Sequence, residues 1–309
     1  MQRITNNMLT SDLIRTLNDH LQVINDLQNQ VTTGKAVNCA SDDPAAAGLI
    51  LELQNSLRQN EQYQENVSNG ISWMYETESM LQQFTDTLNL VRTDAIEGSN
   101  SAISPEGMAL LAVEVNSYLE NLLALSNSDY NSKTLFAGSN TNQAAFIAVR
   151  DPATNWITQI IPNPDNTSGA IFRQVGSTNS MQISVAGVDV FQPNGWSGND
   201  DLFAVLIELR DALQAGNVTA VAATITEIDS VMSNVSDFTA LVGSNVNQLM
   251  SIQSTLLNQE INLTDQLSDQ EDADLVQVMT QLTLEQNAYQ VALNVGAMII
   301  QPSLADFLV

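Results

Sequence analysis

Apolar residues recur at spacings of three and four near both ends of the chain, and this pattern constrains the fold more than any other feature. The N-terminal seam comprises Leu13, Leu17, Ile24, Leu27 and Val31, and the C-terminal seam comprises Leu275, Val278, Leu282, Tyr289 and Leu293. Such spacing is typical of the narrow seam of a coiled coil, which is stable only when another helix covers it. We therefore expect the seams to pair with each other, with neighbouring subunits, or with both, and self-assembly is the first hypothesis for function.

Composition argues against several other classes of function. The chain has 309 residues and a net charge of −26, and its nine basic residues are scattered singly along the sequence. Binding to nucleic acid or to an anionic membrane needs clustered Lys and Arg, so we expect neither. The single cysteine, Cys39, excludes an intrachain disulfide.

The sequence also predicts no cleavable secretory signal and no membrane insertion. The first thirty residues lack a basic stretch followed by an apolar one. The most apolar stretch, 291–300, is shorter than the roughly 20 residues that cross a bilayer. We therefore expect a soluble chain that, if exported, does not use the ordinary signal-peptide route.

Proline and glycine positions predict where the long helices run. The stretches 45–104 and 194–301 contain no proline, which would cost a helix interior about 3 kcal/mol. We expect a first helix over 8–32 that ends near Gly34, and a second that begins at Pro44 with Asp43 as its N-cap. A third helix should begin at Pro105 with Ser104 as its N-cap. Helices should resume with Asp200 or Asp201 as an N-cap, break at Gly216, cover 218–238 and 239–265, and end with a terminal helix after the acidic residues 269–274.

Between the helical parts the apolar period changes to two, which predicts a small β module over 132–198. Strands are expected at 144–149, 156–161 and 171–175. Residues 181–185 and 188–191 should form a tight hairpin around Ala186-Gly187.

The predicted fold is therefore mainly α with an inserted β module. It is a long antiparallel helical rod or coiled coil, with its terminal arms paired and a small β domain at the distal end. The division we expect is an N-terminal assembly arm, the first half of the rod, the β module, the second half of the rod, and a C-terminal assembly arm, over 1–34, 35–131, 132–198, 199–268 and 269–309.

Five segments of the chain together form a recognisable pattern: residues 1–8, 31–35 followed by 41–46, 135–140, 272–275 and 303–308. The motif residues that they contain are Gly34, Lys35, Asp42, Asp43, Pro44, Leu135, Phe136 and Gly138. In these segments the chain resembles the flagellin superfamily, and within it the branch of hook–filament junction proteins. The resemblance covers both helical parts, and covers the β module by position only.

The resemblance implies a secreted, extracellular structural subunit of the bacterial flagellum. Such subunits leave through the flagellar type III export apparatus, and their disordered ends become a coiled coil on assembly. Their partners would be copies of the chain itself, the first hook-associated protein, flagellin, and an export chaperone. Two alternatives stay open: a flagellin subunit of the filament, and a secreted helical binding or effector protein.

The residue types for catalysis or cofactor binding are not grouped in the sequence. His20, the only histidine, falls on the N-terminal seam, so a metal site built on several histidines is excluded. No phosphate-binding loop, nucleotide fingerprint or nucleophile elbow occurs. We therefore expect neither an enzyme nor a cofactor.

Overall fold

The computed structural model describes residues 6–164, 169–193, 195 and 201–300. Its helices are α1 (Asn6–Thr33), α2 (Pro44–Gly98), α3 (Pro105–Ser126), α4 (Gly187–Phe191), α5 (Leu202–Gln214), α6 (Val218–Glu271) and α7 (Leu275–Ile300). Its strands are β1 (Asp129–Tyr130), β2 (Lys133–Thr134), β3 (Phe146–Arg150), β4 (Ile157–Pro162), β5 (Phe172–Gln174) and β6 (Ser180–Gln182). Within the described residues each strand pairs with a neighbour in sequence, which gives three antiparallel two-stranded sheets. The fold is thus mainly α with small β elements inserted, as predicted.

The helix boundaries follow local capping chemistry. Asp43 Oδ1 accepts hydrogen bonds from the backbone N–H groups of Ala45 and Ala46, and Pro44 occupies the first helical position, where no N–H is needed. Ser104 accepts from Gly107 N–H at the start of α3, and Asp201 caps α5. These predicted caps are confirmed, because each depends only on residues next to it in sequence.

One break expected in the second helical part is absent. Residues 218–271 form the single helix α6 of 54 residues rather than two helices meeting at residue 239. Neither Gly nor Pro occurs at 238–239, and Thr239 Oγ1 donates to the carbonyl of Val235, so the helix continues. The break after α5 is confirmed, since Gly216 adopts a left-handed φ of 67°.

The described residues divide into two compact units. Unit 1 consists of residues 1–60 and 258–309, apart from the ends that lie outside the described residues, and it contains α1 and α7. Unit 2 consists of residues 61–257 and contains α3, α5 and all the strands. The finer division into five segments stays a prediction.

The core of unit 2 joins the helices to the β elements through aromatic rings. Phe191 stacks on Phe84 of α2 with ring centroids 4.4 Å apart, and it meets Phe136, Phe146 and Phe203 at steeper angles. Such clusters add about 0.5–1.5 kcal/mol per ring pair beyond the burial of their area. The aromatic cluster therefore anchors the inserted segment to the helices.

Helix α3 is long and apolar enough to cross a membrane by length and composition. Its stripe of Met108, Leu111, Val115, Leu119 and Leu122 is buried in the core of unit 2. The same composition is therefore explained by packing inside the protein.

The predicted hairpin around Ala186-Gly187 is wrong. Residues 180–182 pair with β5 as strand β6, and residues 187–191 form the short helix α4. Gly187 donates its N–H to the carbonyl of Phe136, and a Cβ on it would lie 2.8 Å from the ring of Phe146. The glycine is thus required for close packing, and the apolar residues after it face the aromatic cluster rather than alternating along a strand.

Candidate assembly surface

The two terminal seams pair with each other inside unit 1. A Cβ on Gly296 of α7 would lie 2.5 Å from Leu13 Cδ2 of α1, while His20 meets Glu285 nearer the middle of both helices. Lower residue numbers on α1 therefore match higher ones on α7, so the helices run antiparallel. Ile24 and Leu27 of the N-terminal seam and Val278 of the C-terminal seam are buried. One of the expected pairings, that of the seams within one chain, is thus present.

Not every residue of the seams lies in the interface. Leu13, Leu17, Val31, Leu282 and Tyr289 are half-buried, whereas Leu275 and Leu293 are 45% and 44% exposed. Their place in the interface is taken by Glu285, Ala292 and Gly296, which continue the alternating spacing of four and three from Leu282 and Tyr289. The pattern of large apolar residues does not include these positions, whereas a heptad count regardless of residue type does. Whether the seams act in assembly stays a prediction.

A polar pair lies within this apolar interface. His20 Nδ1 is 2.7 Å from Glu285 Oε2, and both side chains are about two-thirds buried. A polar pair at a seam favours one register over others, because a slipped helix would leave both groups unpaired. The pair therefore helps to define how α1 and α7 align.

The motif residues Gly34 and Lys35 connect the end of α1 to the start of α7. Gly34 has a φ of 73°, which favours glycine, and its carbonyl accepts from Ala273 N–H at 2.9 Å. Ala36 N–H donates to Glu271 O at 2.7 Å, and the Lys35 ammonium pairs with the Glu271 carboxylate. These contacts form the terminal clasp, defined here as Gly34–Ala36 with Glu271–Ala273. It holds the end of α1 against the start of α7.

The motif residues Asp42, Asp43 and Pro44 build the turn that leads into α2. Asp42 accepts from the Cys39 thiol at 2.9 Å and from the backbone N–H groups of Cys39 and Asn38. These hydrogen bonds, that of the thiol first, lower the pKa of Asp42. Asp42 therefore orders the loop, while Asp43 caps the helix.

The second half of the family motif belongs to the core of unit 2. Leu135 and Phe136 are buried, Phe136 is part of the aromatic cluster, and Gly138 has a φ of 63°. This part of the motif is therefore buried and has a packing role.

The side of α7 that faces away from α1 is apolar and uncovered. Val276 and Met298 are 77% and 78% exposed, and the large apolar residues between them on this side are also exposed. The outer face of α7 comprises Val276, Leu284, Val291, Val295 and Met298. At 100° per residue these side chains lie on the side away from Val278 and Glu285, which face α1. Contiguous apolar surface of this kind marks an interaction site.

The described residues contain no group of three or more His, Cys, Asp or Glu side chains placed to hold a metal ion. The opening segment 1–8 of the family resemblance lies partly outside the described residues, and the closing segment 303–308 lies wholly outside them. The exposed outer face of α7 is the surface of unit 1 that is suited to protein contact.

Comparisons with known proteins point to one superfamily. Residues 4–141 match the bacterial flagellin N-terminal helical region. The flagellar hook-associated protein 3 of Escherichia coli K12 is 28% identical over 272 residues, covering 84% of this chain and 85% of its own. A flagellin of Listeria innocua is 23% identical over 285 residues, covering 91% of this chain and 90% of its own.

The fold is also that of solved structures. The flagellar hook-associated protein 3 of Legionella pneumophila aligns with a TM-score of 0.61 at 14% identity, covering 71% of this chain and 98% of that one. At this identity the likeness concerns the fold.

Proposed function

We infer that the chain, which belongs to the flagellin superfamily, is a structural subunit of the bacterial flagellum at the junction between hook and filament. The similarity to the hook-associated protein of E. coli extends over more than four-fifths of both chains and exceeds that to the flagellin of L. innocua. A flagellin of the filament is the second candidate, because the Listeria protein aligns over a still larger share of the chain.

One observation carries the proposal for how the subunit assembles. Helices α1 and α7 cover each other along their interface, whereas the outer face of α7 is covered by nothing among the described residues. A subunit of a tubular array needs such a face for its neighbours, and a monomer does not. We therefore assign the outer face of α7 to contacts between subunits.

The energetics favour terminal arms that become ordered when the subunit assembles. Burying one apolar side chain contributes about 1.5–3 kcal/mol, whereas ordering each residue costs roughly 1–2 kcal/mol. In a two-helix pair with one uncovered side, the free energy gained by burial and the cost of ordering nearly cancel. Contacts with neighbouring subunits then shift the equilibrium towards the folded state. Residues 1–32 and 270–309 would thus act as assembly arms that become ordered in the tube, which also limits premature polymerisation.

The flagellar setting defines the proposed partners. Neighbours would be further copies of the chain, the first hook-associated protein on the hook side, and flagellin on the filament side. Before assembly an export chaperone would bind the C-terminal region, and the chain would leave by the flagellar type III apparatus to its extracellular position.

Deleting the gene separates the candidate functions. Loss of a junction subunit should leave hooks without filaments and release flagellin monomers into the medium. Loss of flagellin itself would leave no filament protein to release, and unchanged motility would favour the secreted binding protein. Complementation with the intact gene is the control.

Electron microscopy of intact flagella tests the position. Antibodies against the chain should label a short zone between hook and filament in the parent strain and nothing in the deletion strain. Label along the whole filament would contradict the junction role and support the flagellin alternative.

A further inference from the structure

The interruption between α6 and α7 is short, and it contains neither of the usual helix-breaking residues. Helix α6 ends at Glu271 and α7 begins at Leu275, so residues 272–274 alone separate two long helices. Neither glycine nor proline occurs over 244–295. Helical hydrogen bonds reach the interruption from both sides, since Asp272 N–H donates to Ser268 O and Val278 N–H donates to Asp274 O. The local sequence is therefore compatible with one continuous helix.

The less exposed side of the chain keeps its helical phase across the interruption. The buried or half-buried positions on this side are Leu263, Leu267, Glu271, Val278, Leu282 and Glu285. Their spacings are four, four, seven, four and three residues, and seven residues is close to two turns of an α-helix. This is the pattern of a single helix with one inner side. The two helices thus have the sequence of one helix that is interrupted from outside.

The terminal clasp pairs the backbone groups that a continuous helix would pair internally. In such a helix, Glu271 O would accept from residue 275, and Ala273 N–H would donate to residue 269. Instead Glu271 O accepts from Ala36 N–H at 2.7 Å, and Ala273 N–H donates to Gly34 O at 2.9 Å. Lys35 and Asp272 lie opposite each other as an antiparallel bridge. Residues 34–36 therefore hold the chain at 271–273 out of the helix.

The clasp segment is itself held from the side of α1. Gln30 Nε2 donates to Ala36 O, and Asn38 Nδ2 donates to Lys35 O, both at 3.1 Å. Gln30 belongs to the last turn of α1, so the position of residues 34–36 depends on that helix being formed. The clasp consequently links the folding of α1 to the path of the chain at the start of α7.

One local feature also favours a helix start at this point. Asp274 Oδ1 accepts from the N–H groups of Val276 and Gln277 at 3.0 and 3.1 Å. Such a cap stabilises a helix start that already exists, but aspartate is also tolerated inside helices, so the cap does not stop a helix from continuing. The clasp is therefore the decisive contact at the interruption.

We propose that the terminal clasp is a conformational switch: α6 and α7 are separate helices while it is closed, and residues 272–274 become helical and join them when it opens. Extending α6 into α7 avoids the cost of nucleating a separate helix. The proposal rests on the proposed assembly role and deepens it, because ordering of the N-terminal arm during assembly would close the clasp and give α7 its separate start.

A reversible disulfide in the full-length chain tests the switch. In a Cys39→Ser background, Lys35→Cys and Asp272→Cys replace the bridged pair. Cα atoms in a non-hydrogen-bonded antiparallel pair are about 4.5 Å apart, which suits a disulfide. The carbon-13 chemical shifts of Ala273 report its backbone conformation. We expect non-helical values in the oxidised chain and a shift to helical values on reduction, with Ala292 of α7 helical in both forms.

Proline at the first position of α7 provides the control. Leu275→Pro is compatible with a helix start, but in a continuous helix its ring would clash with the carbonyl of Glu271. In the double-cysteine chain with this substitution, Ala273 should keep non-helical values after reduction. Leu275→Ala is the matched variant, and with it Ala273 should become helical on reduction.

The outcomes separate the switch from the broader function. Non-helical values for Ala273 in the reduced chain would show that the local sequence makes the interruption, and values of an unfolded chain at both alanines would show that α7 unfolds instead of joining α6. Absence of the disulfide in both the free chain and intact flagella would refute the closed clasp. Each of these results overturns the switch and leaves the junction role standing, whereas antibody label away from the junction would refute the proposed function alone.

Discussion

His20 of α1 and Glu285 of α7 face each other across the paired terminal helices, with Nδ1 2.7 Å from Oε2. Moving α7 by one turn would place Leu282 or Tyr289 opposite the imidazole and leave both polar groups without a partner. Unpaired polar groups at a buried interface cost about 1–3 kcal/mol each. The pair thus penalises slipped alignments of two helices whose apolar residues repeat regularly.

The first prediction concerns this pair. His20→Glu places two carboxylates together and should weaken the α1–α7 pairing by about 1 kcal/mol or more, because like charges repel at a half-buried site. In a strain that lacks the gene, this variant should restore motility poorly and leave flagellin in the medium. Amounts of flagellin in culture supernatants provide the measurement.

A second substitution in the same chain is the control. Glu285→Lys combined with His20→Glu places opposite charges across the interface and should recover much of the lost motility. If the double variant behaves no better than His20→Glu alone, the two side chains do not pair in the working subunit.

The second prediction concerns the assembly arms. In the isolated full-length chain, backbone amides in 1–32 and 270–309 should exchange hydrogen quickly, since one side of the helix pair is uncovered. In isolated flagella the same amides should be protected, while amides of α3 and α5 should be protected in both states. Strong protection of both arms in the monomer would contradict coupling between order and assembly.

The third prediction concerns the outer face of α7. Leu284→Asp and Val291→Asp should each abolish or strongly reduce incorporation into flagella, because each loses about 1.5–3 kcal/mol of burial and adds a charge to desolvate. The amount of chain in purified flagella, compared with the amount exported, gives the measurement. Gln286→Asp, exposed on α7 but off this face, is the matched control. Normal incorporation of Leu284→Asp would show that the face is not an interface.

The fourth prediction concerns a buried carboxyl in unit 2. Asp94 of α2 is 9% exposed, and its Oδ2 has no hydrogen-bond partner among the described residues. Burial, followed by the negative charges of Glu114 and Glu97, raises its pKa to about 6. The folded chain therefore binds this proton more tightly than the unfolded chain, so the free energy of unfolding falls as pH rises from about 4 to above 6.

Replacing this carboxyl should remove its contribution to the pH dependence of stability. Asp94→Asn should raise the free energy of unfolding by about 1–3 kcal/mol at pH 7.5 and change it little at pH 4, where the native carboxyl is already protonated. Urea unfolding followed by circular dichroism at both pH values gives the comparison, with Asp86→Asn on the exposed side of α2 as control. An equal effect of Asp94→Asn at both pH values would mean that its ionisation does not affect stability.

Local features of this fold were accessible from the sequence. Asp43 with Pro44, Ser104 with Pro105 and the glycines Gly34 and Gly216 mark helix ends, because capping and backbone conformation depend on neighbouring residues. The two seams were also visible, since a heptad repeat is a property of one helix. The motif residues were found by resemblance and divide in the structure between the terminal clasp, the loop before α2 and the aromatic cluster.

Contacts between residues distant in sequence were harder to predict from the sequence. Gly187 resembles a turn glycine in sequence, yet it is needed because Phe136 and Phe146 approach it from distant positions. Glu285 and Gly296 belong to the α1–α7 interface only because His20 and Leu13 lie opposite them.

The terminal clasp joins two parts of the chain that are distant in sequence. Lys35 and Glu271 are 236 positions apart in sequence, yet their side chains pair. The chain between them therefore leaves the terminal clasp and returns to it. Residues 61–257, which form unit 2, lie between these two positions in sequence, so changes within unit 2 leave the contacts of the terminal clasp in place.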